Sequence, residues 1–210
     1  MGERLDRLRE EYGDFPFVDS RNALPPDRFD DLREKAIDGY TGGGYAWVVR
    51  TPEAAPPLSD SMPEDAGPDR SHVLLILERD DEALTWSIPG GGREDDETYE
   101  AATVREVEEE TGISIDLDAP FLVIRNRLDA EDERSERLHT LWVHFDARYA
   151  GGHLEVQPGE LRGAAWFEGA PSTLAPVPAF RATEWWNDDE PGPEERWWDD
   201  YAVREEPLEV

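Results

Sequence analysis

The segment PGGGREDDETYEAATVREVEEETGI, residues 89–113, decides how the chain is read. A proline and three glycines end the short apolar stretch Trp86-Ser87-Ile88 and predict a loop of exposed backbone. From Thr98 to Thr111 the pattern turns helical, and Gly112 stands where a helix C-cap is expected. At about 100° per residue, Glu106, Glu109 and Glu110 fall within one arc of roughly 100°, whereas Ala101, Val104 and Val107 point broadly the other way. The expectation is a helix that packs its apolar side on a sheet and turns three carboxylates toward a common cleft. Like charges at these spacings cost roughly 0.2–0.5 kcal/mol per pair unless something cancels them. A hard divalent cation does so: Mg2+ takes oxygen ligands and is shared between carboxylates and substrate phosphates. The glycine loop adds backbone that can approach phosphate or lend a carbonyl to the cation. The competing reading is a solvated acidic helix face, and the loop immediately before the helix weighs against it.

Outward from this segment, strands are predicted at Tyr45-Ala46-Trp47-Val48-Val49, at His72 to Glu78, and at Trp86-Ser87-Ile88. Beyond the helix they are predicted at Phe121 to Arg127 and Leu138 to Phe145, with a hairpin-like stretch from Leu154 to Phe167. Leu5, Leu8 and Tyr12, then Phe29, Leu32 and Ala36, mark short N-terminal helices, and Pro176 and Pro178 precede a last one through Phe180 to Trp186. Residues 51–70, rich in Pro, Asp and Ser, read as a surface loop. Strands on both sides of one central helix give an α/β (α+β) class around one mixed sheet.

The chain has 210 residues, with 51 acidic against 21 basic ones and a formal net charge of −30. All the basic residues but Lys35 are arginine. A balance this acidic argues against DNA, RNA or anionic lipid as partners, which are held by clustered cations, and points to a salt-adapted protein. The absence of cysteine excludes disulfides and thiolate chemistry. The start, MGERLDRLRE, carries no apolar leader, and the longest strongly apolar run, Val73 to Leu77, is far short of a membrane span. A cytoplasmic protein is the expectation.

The spacing can now be given in full: Gly91, five residues, Glu97, seven residues, Arg105-Glu106-Val107, one residue, Glu109-Glu110, one residue, Gly112-Ile113. Every fixed position of the Nudix box is filled, and over residues 43–186 the chain resembles the Nudix hydrolases, as an acidic, haloarchaeal-type member. The resemblance implies an α/β/α sandwich in which the box forms a loop-helix-loop, residues 1–42 being an N-terminal extension and 187–210 an acidic tail. It also implies Mg2+-dependent attack of water, with Mn2+ as a substitute, on a diphosphate in a nucleoside diphosphate derivative. Carried over by position, Glu106, Glu109 and Glu110 would be metal ligands, with one of them, most often the Glu106 position, the general base and Glu109 the next candidate. The Gly90 carbonyl would be a further ligand. Glu97 and Arg105 would pair and brace the loop against the helix, and Gly91 and Gly112 would be structural. Members of the family often recruit a carboxylate outside the box; Glu160 in GELRGAAWF is the first candidate, though it reads equally well as a surface glutamate near a strand. Glu131, Glu133 and Glu136 are weaker rivals. Asp96 stands where the family commonly has glycine, and residues 51–70 lengthen an early loop.

The expected partner is a small-molecule nucleotide, either a nucleoside triphosphate or a nucleotide sugar such as ADP-ribose. Arg125, Arg127, Arg134 and Arg137 are candidates to meet its phosphates; the alternative is that they offset neighbouring acids. Trp86, Trp142 and Trp166 read as core rather than as base-stacking groups. Trp185-Trp186 and Trp197-Trp198 could cover the sheet, stack a base or build a homodimer contact. Removal of diphosphate from RNA 5′ ends is disfavoured by the lack of a basic patch. A catalytically silent domain that binds a nucleotide as a regulator is the main rival, and the intact box argues against it. An acidic interaction protein would leave the order of the box unexplained.

Overall fold

Strand pairing extends the sheet well beyond the apolar runs of the sequence. The computed structural model describes residues 2–37, 39–54, 70–78, 84–132, 136–156, 159 and 161–186. Four helices are formed among them: α1 (Gly2–Tyr12), α2 (Pro26–Ile37), α3 (Tyr99–Thr111) and α4 (Pro176–Trp185). Eight strands accompany them: β1 (Phe17–Leu24), β2 (Gly42–Arg50), β3 (His72–Glu78), β4 (Trp86–Ser87), β5 (Gly90–Gly92), β6 (Ile113–Ala130), β7 (Arg137–Gly152) and β8 (Leu161–Phe167). The class is the expected mixed α/β one. Most of the 51–70 loop, Glu133, Arg134, Glu160 and the tail from 187 with Trp197-Trp198 lie outside the described residues.

The chain divides into two compact units. The first takes residues 1–46, 90–106 and 117–146. Its strand order is β1-β6-β7-β2, with the short β5 antiparallel to β2 through Gly43↔Gly92, Gly44↔Gly91 and Tyr45↔Gly90. β1 runs parallel to β6, in register from Phe17↔Val123 to Leu24↔Ala130. The core gathers Leu5 and Leu8 of α1 with Tyr99, Val123, Leu141, Val143 and Phe145, and Tyr12, Phe15, Phe17 and Leu117 pack against it. The helical spacing of Leu5, Leu8 and Tyr12 thus puts one face of α1 into this core. Residues 1–42 therefore hold two helices and a strand of the first unit. The sequence reading contained no strand at 17–24.

The second unit takes residues 47–89, 107–116 and 147–210. Here β3 pairs antiparallel with β2 (Val49↔Val73, Arg50↔His72), with β4 (Ile76↔Ser87, Leu77↔Trp86) and with β8 (Val73↔Phe167 through Glu78↔Leu161). Six successive residues of β3, His72 to Leu77, are buried, as an apolar run covered on both faces must be. The hairpin expected over 154–167 is instead one strand, β8; Leu154–Val156 form no regular element. Its position is set by register with β3 rather than by a turn signal. α4 begins at the two prolines, with Pro176 and Pro178 in its first turn, where the missing N–H costs nothing. Trp86 packs edge-on against Phe167 at 4.6 Å, and Trp47 against Trp186 at 5.3 Å.

Candidate active site

Helix α3 is delimited as the sequence suggests. The Thr98 hydroxyl accepts a hydrogen bond from the Ala101 amide at 3.1 Å, and Gly112, at φ +70°, donates its amide to the Glu108 carbonyl at 2.8 Å. Glu106, Glu109 and Glu110 occupy i, i+3 and i+4 of this one helix, which alone fixes their mutual placement. The buried side is not the one the apolar pattern predicts. Ala101 is exposed and Val104 half-buried, whereas Tyr99, Ala102, Thr103, Val107, Glu110 and Thr111 are buried. The reason is backbone approach: a Cβ on Gly44 would collide with the Thr103 hydroxyl and lie 2.9 Å from the Tyr99 carbonyl oxygen. The glycines of β2 let α3 settle on Thr103 and Tyr99, a contact no hydrophobic period encodes. Glu110 thus lies within the buried stripe at 8% exposure, Glu106 is half-buried and Glu109 is exposed.

The loop before the helix is held against it in the same manner. Gly90, at φ +140°, has no room for a side chain, since a Cβ would lie 2.5 Å from Tyr45 Cα. A Cβ on Gly91 would lie 2.5 Å from Glu106 Oε2 and 2.6 Å from its Cδ, so the carboxylate rests directly on the Gly91 backbone. Arg105 ties the assembly together. It donates to both Glu97 carboxylate oxygens (2.9 and 3.0 Å), to Glu106 Oε1 (2.9 Å) and to the Gly92 carbonyl (3.0 Å). The Arg105 guanidinium holds the Glu97 carboxyl below the usual carboxylate range, helped by the Glu94 amide and opposed by partial burial. Burial raises the Tyr40 phenol, and the Glu106 charge adds to it.

One brace escaped the sequence reading. Arg93 is 4% exposed, donates to the Glu97 carbonyl and to Thr41 Oγ1, and stacks over Tyr99 at 5.0 Å. An arginine inside an acidic loop was its only visible signal. The candidate phosphate arginines are brought together, though onto carboxylates. Arg125 and Arg127 both donate to Asp19 and hold its carboxyl down at about 2, while Arg137 shares Asp129 with Arg21. Glu136 pairs with Arg33 at 2.9 Å. Trp86 and Trp166 are core, as read, but Trp142 is only half-buried, in a row with Tyr40 and Tyr45.

In donor chemistry, the residues expected as ligands suit a hard divalent cation. Glu106, Glu109, Glu110 and the Gly90 carbonyl offer oxygen only, the set a hard cation prefers, and the Glu106 carboxylate lies on the glycine loop. Among the described residues, no three carboxylate or imidazole groups are gathered on one point. The fold is a mixed α/β sheet in which a glycine strand, β5, precedes helix α3 and the Glu106 carboxylate lies against Gly91. The chain belongs to the NUDIX domain family, whose model matches residues 65–176. It is 33% identical over 116 residues to the NAD-capped RNA hydrolase NudC of Deinococcus radiodurans, covering 55% of this chain and 38% of that protein. It is 30% identical over 120 residues to the NAD-capped RNA hydrolase NudC of Pseudomonas entomophila, covering 52% and 40%. A MutT NUDIX hydrolase structure from Burkholderia pseudomallei aligns with TM-score 0.44 at 23% identity, over 67% of this chain and 93% of that one. The chain thus spans about two fifths of the length of these curated relatives. No helix among the described residues is long and apolar enough to cross a membrane.

Proposed function

We propose that this protein hydrolyses a diphosphate bond in a nucleoside diphosphate derivative. In this reading Glu106, Glu109, Glu110 and the Gly90 carbonyl hold Mg2+, or Mn2+ in its place. The observation that carries it is the Glu106 carboxylate of helix α3 resting on Gly91 of β5, with two further glutamates one turn on in the same helix. A divalent cation, when bound, supplies Lewis-acid polarisation of the phosphoryl oxygens and offsets charge on the leaving phosphate. Glu106, oriented by Arg105 Nη1, takes the proton of the attacking water, with Glu109 as the second candidate base. Arg105 and Glu97 keep the loop and helix at fixed distance, so that substrate meets prearranged groups. Glu160 would complete the ligand set.

Arg125, Arg127 and Arg137 extend the reading to the substrate. Two arginines share one aspartate at Asp19 and again at Asp129, so each group keeps one guanidinium charge in excess. Such local surpluses in a chain of net charge −30 can hold phosphate. They also weaken the argument from overall charge against an RNA-linked substrate. A nucleoside triphosphate or an ADP-ribose-like nucleotide sugar stays first choice, and the names of the relatives add NAD-type dinucleotides. The acidic surface supports a salt-adapted cytoplasmic setting, and the exposed Phe180 and Trp185 of α4 offer a homodimer contact.

The test is a panel of nucleoside triphosphates, dinucleoside polyphosphates, ADP-ribose and NAD with Mg2+ in molar KCl, reading both products. Cleavage between phosphates of one class supports the reading. Tight nucleotide binding with no product would instead favour the silent regulator.

A further inference from the structure

A row of aromatic rings lies beside the glycine loop, apart from the cluster formed by Leu5, Leu8, Tyr99, Val123, Leu141, Val143 and Phe145. Tyr40 and Trp142 are 6.0 Å apart, Trp142 and Tyr45 5.7 Å, and Tyr45 and His144 5.4 Å in a stacked arrangement 10° from parallel. On β7, Leu141, Val143 and Phe145 enter the core cluster, so the alternation of a strand turns Trp142 and His144 to the opposite face. Trp142, Tyr45 and Tyr40 are half-buried, while His144 is buried and tied through Nδ1–H to the Leu122 carbonyl at 3.3 Å. Trp142 donates its indole N–H to Thr140 Oγ1 at 3.2 Å, and its ring meets Tyr40 edge-on and Tyr45 at a 37° tilt while staying half-buried.

The row touches the loop at backbone distance. A Cβ on Gly90 would lie 2.9 Å from Tyr45 Cδ1, one on Gly92 3.0 Å from Tyr40 Cδ2, and one on Gly43 2.9 Å from Trp142 Cζ3. The intervening Gly91 carries the Glu106 carboxylate. Strand β5 therefore has rings along one side and the Glu106 carboxylate on the other, all within the first compact unit.

We infer that Trp142 and Tyr45 form the platform on which the nucleobase of the substrate stacks, the diphosphate lying at Gly90 and Glu106. The inference rests on the diphosphate reading above and adds to it that the base, rather than the second moiety, is held by this chain's aromatic row. Every base offers a π face, so the platform tolerates different bases and rejects a substrate that has none.

The test titrates the full chain calorimetrically, in Mg2+ and molar KCl, with nucleoside 5′-monophosphates and with ribose 5-phosphate. The expected result is nucleotide binding at least about tenfold tighter than that of ribose 5-phosphate. In Trp142→Ala the advantage disappears and in Trp142→Phe most of it is kept, with thermal midpoints close to the parent's. Trp142→Leu, which keeps apolar bulk without a ring, takes over if the alanine variant does not fold, and Tyr45→Leu is the independent second probe. Ribose 5-phosphate binding as tightly as nucleotides, or an undiminished advantage in both Trp142→Leu and Tyr45→Leu, would overturn the inference. A chain that hydrolyses nothing in the panel yet keeps a Trp142-dependent base preference would overturn the hydrolytic reading and support the platform. Hydrolysis indifferent to both substitutions would do the reverse.

Discussion

Replacing Gly91 by alanine separates catalysis from stability. A Cβ at this position would stand 2.5 Å from Glu106 Oε2, 2.6 Å from Cδ and 2.9 Å from Oε1. Ordinary contact requires the carboxylate to withdraw by about 1 Å, out of reach of Arg105 Nη1, now 2.9 Å away. Gly91 has no left-handed backbone to strain, and what yields is the flexible end of a glutamate. The stability cost is therefore about 1 kcal/mol, one partly exposed charged hydrogen bond, or roughly 2–4 °C in a chain of this size. If Glu106 takes the proton, as proposed, a misplacement of about 1 Å costs on the order of 100-fold in rate. Steady-state hydrolysis with Mg2+ and a thermal melt on the same preparation measure both quantities. Gly44→Ala is the contrast, because its Cβ meets the fixed carbonyl of Tyr99 at 2.9 Å, and there stability falls first. A Gly91→Ala enzyme with full activity would refute the placement of Glu106 in the chemistry.

Arg105→Ala should lower the thermal midpoint by roughly 5–12 °C, since it removes the hydrogen bonds to Glu97, Glu106 and Gly92 from a partly buried site, and Arg105→Lys should recover only part of this because it cannot grip Glu97 with two parallel bonds. Glu97 titrates below its ordinary value when folded, so its share of that stability is present above the usual carboxylate range and disappears as pH falls through the lowered value; urea midpoints against pH would show the step vanish in Glu97→Gln. His72 and His144 are held down at about 4, mainly by burial and for His72 also by the neighbouring Arg50. The unfolded chain binds those protons first, so their contribution is complete above pH 6.5 and drains away toward pH 4, by up to about 3 kcal/mol each. His144→Phe should flatten that slope between pH 7.5 and 4.5, and an unchanged slope would contradict the burial argument. Thermal midpoints should rise with KCl into the molar range, as self-repulsion of a −30 chain is screened; equal stability in dilute buffer would exclude salt adaptation.

What the sequence could and could not reveal follows from distance along the chain. Helix α3, its Thr98 and Gly112 ends and the Glu97–Arg105 pairing depend on residues within about a dozen positions; the residue pattern displays the helix and its ends, and the resemblance to the Nudix box implies the pairing. β3 was legible because six consecutive buried residues need no partner to be recognised. β1 was not: its burial alternates only weakly along FVDSRNAL, and it is a strand because it lies parallel to β6, over a hundred residues away. Without β1 the fate of the arginines was hidden too, since Asp19 faces Arg125 only through that register. The rotated face of α3 had the same origin, in glycines that read as turn signals but form strands β2 and β5 where backbones must meet. Trp142 looked like core because tryptophan usually is, and only the alternation against Leu141 and Val143 sets it apart.

The most direct test of the account is Mg2+-dependent hydrolysis by Glu109→Gln and Glu110→Gln, measured in high salt beside their melting curves. If these carboxylates hold the cation, each amide variant loses at least about 100-fold in kcat/KM while remaining folded, and raising Mg2+ restores little. Wild-type turnover by both variants would contradict it.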